Sequence, residues 1–391
     1  MKLNISEPVV VAVGPDSRTA PWGEYQFPSI EKTDDGALFY SFNVCADSER
    51  AYGSAPGVRV SYDNGKTWEM YDPAKKKRAS HGLRLPSGDH IHFSQGPSIP
   101  LEGLKLPKPL GTTWLGHTAY LIDELDESID CPHTWRIRRY TQEHPEGVVE
   151  DTKLDWPYML IRSCLGVLVQ PGPRGRLRIA PDGTLWMPHY YLAGTDPKTG
   201  EFFPYLCNYL FKSTDEGKSW ELMNFLPFTP EEGNPLRAKS FEGFGENDIT
   251  FMPDGSLFRL IRTGCFDPCF STRSEDGGYT WTEPEVFHNH GVWPCMVTLK
   301  CGVTLATFGR PGLVLRATDD PSGKTWEDPI YLLKPKARPW KTMEEQATCG
   351  YSNLIALDDH TAGLVYSDFT VKDADGVPHK TMMFRTITVE D

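Results

Sequence analysis

Short runs of alternating or continuously apolar residues recur along the chain, most of them opened by a turn glycine. Asp35-Gly36 precedes such a run at 37–43, Ser87-Gly88 at 89–95, and Asp182-Gly183 at 184–189. Asp254-Gly255 precedes 256–262, Cys301-Gly302 precedes 303–310, and Asp359-His360 precedes 361–366. Runs of this length, bounded by turn residues, predict strands. Six of them divide 391 residues into units of about 65, the size of a four-stranded blade. The wide gap between the second and third units, from Pro97 to Gly175, leaves room for an insertion.

A second repeat is offset from the first. Ser61-Tyr62-Asp63-Asn64-Gly65-Lys66-Thr67-Trp68 returns at 213–220 and again at 274–281, with a looser copy from Thr318 to Trp326. Each copy follows a strand-like stretch such as Val58-Arg59-Val60. The residue types explain themselves at a turn. Ser and Asp bond turn backbone, Gly supplies a positive φ, and Trp packs beneath the hairpin. Together the two repeats predict an all-β chain: one six-bladed β-propeller domain over residues 1–391, with four-stranded antiparallel blades.

Composition narrows the function classes. With 40 basic and 53 acidic side chains the net charge is −13, which argues against a nucleic-acid partner. A few arginines in a pocket would still accept a small anionic substrate. Thirty-five Gly and 33 Pro leave little room for long helices, while 19 Phe, 16 Tyr and 11 Trp supply a sizeable core. No run approaches the roughly 18 apolar residues of a membrane span, so no membrane partner is expected. The opening residues, Met1 to Pro8, meet Glu and Pro before an apolar leader core develops. With nine scattered cysteines, this leads to an expectation of cytoplasmic residence and free thiols. Cys265, Cys269, Cys295 and Cys301 lack the paired knuckles of a zinc site, and no cofactor motif is present, so no cofactor or metal is expected.

The repeated turn resembles the Asp-box of the sialidase (neuraminidase) superfamily, and the resemblance extends over nearly the whole chain. It implies a carbohydrate substrate and a retaining, exo-acting glycoside hydrolase that releases a terminal acidic sugar. In that family a Glu stands eight residues before a middle D-G turn and an Arg eight after it, as Glu246 and Arg262 do around Asp254. Arg310 stands eight before Thr318, and Tyr351-Ser352-Asn353-Leu354 matches the family's Y-S-x-L segment. The resemblance makes Tyr351 the nucleophile and Glu246 its base, because a phenol needs a carboxylate to take its proton at neutral pH. It makes Arg262 and Arg310 binders of a substrate carboxylate.

The acid is Glu49 when aligned back from Ser61; aligned forward from Asp35-Gly36, the position falls on Arg50, and Asp47 is the nearby alternative. The family's first-blade F-R-I-P reads Tyr25-Gln26-Phe27-Pro28 here, so Gln26 stands where the first carboxylate-binding Arg would be. Gln26 keeps a hydrogen-bond donor but no charge. His81, His92 and His189, with Tyr190 and Tyr191, fall near expected inner-strand ends as candidate acid–base or sugar contacts. Trp22, Trp114, Trp135 and Trp293 are candidate sugar platforms or core residues. Two alternatives stay open: a glycosidase or polysaccharide lyase of other specificity using His and Tyr, and a non-catalytic glycan-binding propeller.

Overall fold

The computed structural model describes residues 1–48, 54–94, 96, 98–230, 242–335 and 346–390. The chain is all-β apart from one 3₁₀ turn, Ile122–Glu124, among the described residues. All six runs opened by the turn motif contain strands: Leu38–Asn43, His90–Ser94, Leu185–Tyr191, Leu257–Arg262, Thr304–Gly309 and Thr361–Lys372. Gln95, at the end of one expected run, lies outside the described residues.

Three sheets are meanders of four consecutive strands. They begin at Gln26–Lys32, Asn247–Phe251 and Val292–Thr298. A fourth sheet has eight strands and is two four-stranded meanders joined, each interrupted in sequence by strands of another sheet. Val148–Asp155 closes one and Ser219–Leu226 the other, and Lys153–Asp155 pairs in parallel with Ser219–Glu221. The expected insertion is a separate five-stranded sheet, built from short strands between Ile99–Pro100 and Val167–Val169.

Another sheet ties the chain's beginning to its end. Pro378–Glu390 pairs with Thr361–Lys372 on one side. Along its other side it takes Lys2–Ile5, with Lys2 opposite Glu390, and Val9–Asp16, with Val9 opposite Phe384. One 13-residue strand therefore satisfies the backbone of two N-terminal ones.

The repeated turns share one hydrogen-bond scheme. Ser61 Oγ donates to Asp63 (2.8 Å) and accepts from the Gly65 N–H (2.8 Å). Asp63 also accepts from the Thr67 N–H (2.9 Å) and hydroxyl (2.6 Å), and the Trp68 indole donates to the Gly65 carbonyl. Ser274, Asp276, Gly278, Thr280 and Trp281 repeat it contact for contact. Ser213 and Asp215 repeat the carboxylate part. In the looser copy Asp320 takes the Thr325 donors and Trp326 donates to Gly323. Each turn joins the third and fourth strands of its meander.

The chain divides into two compact units: residues 1–80, 250–260 and 286–391, and residues 81–249 and 261–285. The first holds a core around Leu305, Leu315, Leu364 and Tyr366, and another around Tyr40, Phe42 and Phe384. The second is organised around Trp135, Trp156, Tyr209, Phe211 and Trp220.

Ser61 is 1% exposed and is the acceptor for a buried N–H, so Ser61→Ala should cost about 1–3 kcal/mol, read as a lower denaturant midpoint at unchanged slope. Asp63 is held down to about 2, first by the Thr67 hydroxyl and then by its N–H. A depressed carboxylate stabilises above its unfolded pKa and loses that contribution as pH falls through the folded value. Asp63→Asn should therefore lower the midpoint at pH 7, with the difference from wild type closing between about pH 4 and 2.

Candidate functional site

In the second unit, Glu246 and Arg262 are cross-strand neighbours, because both stand eight residues from Asp254 in the same hairpin. The Arg262 N–H donates to the Glu246 carbonyl (2.8 Å), and Arg262 Nη1 reaches Glu246 Oε1 at 2.8 Å. A second carboxylate, Glu242, takes Nη2 at 2.8 Å and 3.2 Å. Cys265 Sγ is 3.4 Å from the same nitrogen and 3.6 Å from Glu242. Asp267, also beside this arginine, is pushed up by burial against the downward pull of Arg262. Arg262 and Glu246 are both buried and Glu242 is partly so, and one guanidinium is shared between the two carboxylates.

Tyr190 belongs to this cluster. Its phenol is pushed up to about 12, first by burial and then by the Glu246 charge, while Arg174 and Arg262 pull the other way. Nearby, Asp248 is fully buried and held by Arg178 and Arg176. Sequence reasoning missed Glu242 and Arg174. The signal for Glu242 was its place four residues before Glu246, next to a segment with no pattern of its own.

His189 is in the core of this unit, with no exposed surface. The rings of Trp135 and Trp156 stand 5.4 Å from it, and its Nδ1 accepts from the Arg174 N–H at 2.9 Å. Burial pushes it down to about 3. A side chain with no exposed surface is not placed to touch a sugar in this conformation. Trp135 is likewise core, His81 stacks on Tyr140 at 5.0 Å, and His92 is exposed.

In the first unit, Tyr351 is half-buried and gripped on several sides. Trp293 stacks on its ring at 5.1 Å with 18° between planes, and Phe27 meets it edge-on at 4.8 Å. The Arg310 guanidinium lies 5.6 Å from the Tyr351 centroid and 5.0 Å from that of Trp22. Arg310 is 3% exposed and gives two donors, Nε and Nη2, to the Cys349 carbonyl at 3.2 and 2.9 Å.

Gly350 makes that seat possible, since a Cβ there would stand 2.6 Å from the Arg310 nitrogen, and its φ is +80°. Eight non-glycine residues have positive φ among the described residues. Phe27, Trp293 and Arg310, three of them, touch the Tyr351 ring, and a fourth, Tyr25, is two positions from Phe27. Backbone strain gathered round one side chain is a feature of functional sites.

Asp47 is exposed, and its N–H donates to the Trp22 carbonyl at 2.8 Å, so it adjoins the same cluster. Gly23 permits that contact, because a Cβ there would meet the Asp47 nitrogen at 2.1 Å. Glu49 lies outside the described residues. Gln26 has no exposed surface, and neither amide atom has a hydrogen-bond partner among the described residues. All nine cysteines are free, and no metal-holding group of side chains occurs among the described residues.

No family model matches the chain, and no curated protein matches it. Solved structures do. A protein of unknown function from Dyadobacter fermentans superposes with a TM-score of 0.59 at 18% identity, over 99% of both chains. The α-L-arabinanase of Penicillium chrysogenum, solved with arabinobiose, superposes with a TM-score of 0.50 at 14% identity, over 97% of this chain and 98% of that one. The likeness shows a shared fold. The microbial sialidase Hz136 aligns at 18% identity and a TM-score of 0.48, over 95% of this chain and 68% of its own.

Two outcomes test this geometry. Arg262→Met strands two carboxylates and should cost about 3–5 kcal/mol, part of it recovered by adding Glu242→Gln; an unchanged unfolding midpoint would refute the clamp. His189 stays neutral when folded down to about pH 3, so the unfolded chain binds its proton first and stability falls as pH drops from about 6.5 to 3. His189→Gln should flatten that fall in a denaturation series across pH, leaving KM unchanged.

Proposed function

We propose that the protein is a glycoside hydrolase that removes a terminal sugar with retention, its sheets being the blades of a six-bladed propeller. The observation that carries the reading is the knot of left-handed residues around the Tyr351 ring. A surface or core tyrosine has no use for such strain, whereas a nucleophile needs a fixed approach.

The roles follow from the sequence resemblance and chemistry. Tyr351 Oη bonds to the anomeric carbon while Glu246 takes the phenol proton. The leaving oxygen takes a proton from the acid, Asp47 or Glu49, as its bond to the sugar breaks. Water then attacks the same carbon as the Tyr351 Oη–carbon bond breaks; the water gives its proton to the acid carboxylate, and the released Tyr351 oxygen recovers its own from Glu246. Two inversions give retention. A neutral nucleophile suits an anomeric carbon that bears a carboxylate, so acidic sugars head the substrate list.

A second reading, a neutral sugar, is favoured by one observation. Arg262 is already occupied by Glu242 and Glu246, and Gln26 supplies no charge. Aryl glycosides of acidic and neutral sugars, screened with uronate oligosaccharides, separate the two readings. A lyase would reveal itself by an unsaturated, ultraviolet-absorbing product.

Tyr351→Phe should abolish most turnover on the substrate so found while the unfolding midpoint stays near wild type. Glu246→Gln should lose about 10²–10⁴ in kcat, and the double variant should be no slower than the worse single one. Near-normal turnover by Tyr351→Phe would end the tyrosine mechanism and leave the fold untouched.

A further inference from the structure

Arg310 is placed by resemblance among groups that bind a substrate carboxylate, yet its geometry points elsewhere. Arg310 as a whole is 3% exposed. Nε and Nη2 are committed to the Cys349 carbonyl, and the group lies near the rings of Trp22 and Tyr351 at 5.0 and 5.6 Å. Trp293 covers the Tyr351 ring at 18° to its plane. The four side chains, Trp22, Arg310, Tyr351 and Trp293, make one chain of ring and cation contacts.

We infer that Arg310 acts on Tyr351 rather than on the substrate: it is a positioning residue whose fixed charge favours the phenolate form of the nucleophile. This rests on the reading of Tyr351 as nucleophile. Guanidinium is protonated at every accessible pH, so the charge beside the ring is constant. A cation near a phenol ring is attracted to its π-electrons, and ionisation of the phenol increases the negative charge it meets. The attraction therefore grows as the proton leaves. Held by the Cys349 carbonyl, the guanidinium delivers that field without needing to reorganise.

Phe27 from Gln26–Lys32 and Trp293 from Val292–Thr298 carry no charge. The Cys349 thiol lies 4.0 Å from the Tyr351 carbonyl and receives a hydrogen bond from Ser367 Oγ at 3.1 Å. Asp47 adjoins Trp22 through its backbone. The Asp47 carboxylate opposes the phenolate. Arg310 is the cation whose contact with the ring the structure records.

The test titrates the phenol itself, with no substrate present. The full chain is made with 3-fluorotyrosine, and the Tyr351 fluorine resonance is assigned by its disappearance in Tyr351→Phe. Arg310→Met keeps bulk and removes charge, and should raise the Tyr351 titration midpoint by about one unit or more. Arg310→Lys restores a charge that does not lie flat against a ring, and should fall between Met and wild type. If Arg310→Met does not fold, Arg310→Lys carries the test, and a midpoint equal to wild type overturns the inference.

An unshifted midpoint in folded Arg310→Met overturns it outright. Failure of the underlying reading looks different: Tyr351→Phe would keep its turnover while the titration shift persisted. A kinetic signature accompanies the shift. The basic limb of wild type should be matched by Arg310→Met only at higher pH, with kcat falling more than KM rises.

Discussion

A carboxylate that satisfies the backbone of its own turn is the interaction on which the four repeated hairpins depend. Asp63, Asp215, Asp276 and Asp320 each collect donors from residues four or five positions on. A hairpin between the third and fourth strands leaves N–H groups facing inward, where water would otherwise have to serve them. One ionised side chain replaces that water and fixes the turn's handedness. The serine or threonine two positions earlier locks the entry, and the tryptophan closes the hairpin beneath. Because the device is local, it can recur wherever a fourth strand must be laid down.

Locality also decides what could be read in advance. Every contact of the turn falls within eight or nine residues, so the four copies stand out in the sequence and the structure repeats their bonds. The hairpin between Thr134–Tyr140 and Val148–Asp155 uses a different turn, with Thr141 accepting from His144, and left no such mark. The insertion was legible only as extra length. Its five short strands run from two residues to five, two of them only two long, at or below the span at which alternation is meaningful. The Glu246–Arg262 contact was legible for a plain reason: equal spacing on both sides of a turn makes cross-strand partners. That same reason accounts for a structural ion pair, which is why Glu242 matters to its interpretation.

Other parts were hidden by the physics. Leu185–Tyr191 is buried on both faces, so no alternation distinguishes His189 from a residue that faces solvent. Tyr25, Phe27 and Trp293 are types that rarely take positive φ, and nothing in their identity announces that they do. Strain of that kind is imposed by the surrounding packing. It becomes visible only when the close approaches of Gly23 to Asp47 and of Gly350 to Arg310 are seen.

The three positions at which a carboxylate binder is expected have each been put to another use. Arg262 serves Glu242 and Glu246, Arg310 serves a carbonyl and two rings, and Gln26 is sealed from solvent. A buried guanidinium that has paid for desolvation through such partners gains little by exchanging one carboxylate for another, since the incoming group must also be stripped of water. An exchange would be favourable only if the displaced Glu took up a proton or a new partner at the same moment. Charge alone therefore gives these three positions a weak preference for an acidic ligand. Shape and stacking on the half-buried Trp22, Trp293 and Tyr351 have more surface to act with. Selectivity built that way depends on the outline of a ligand more than on its charge.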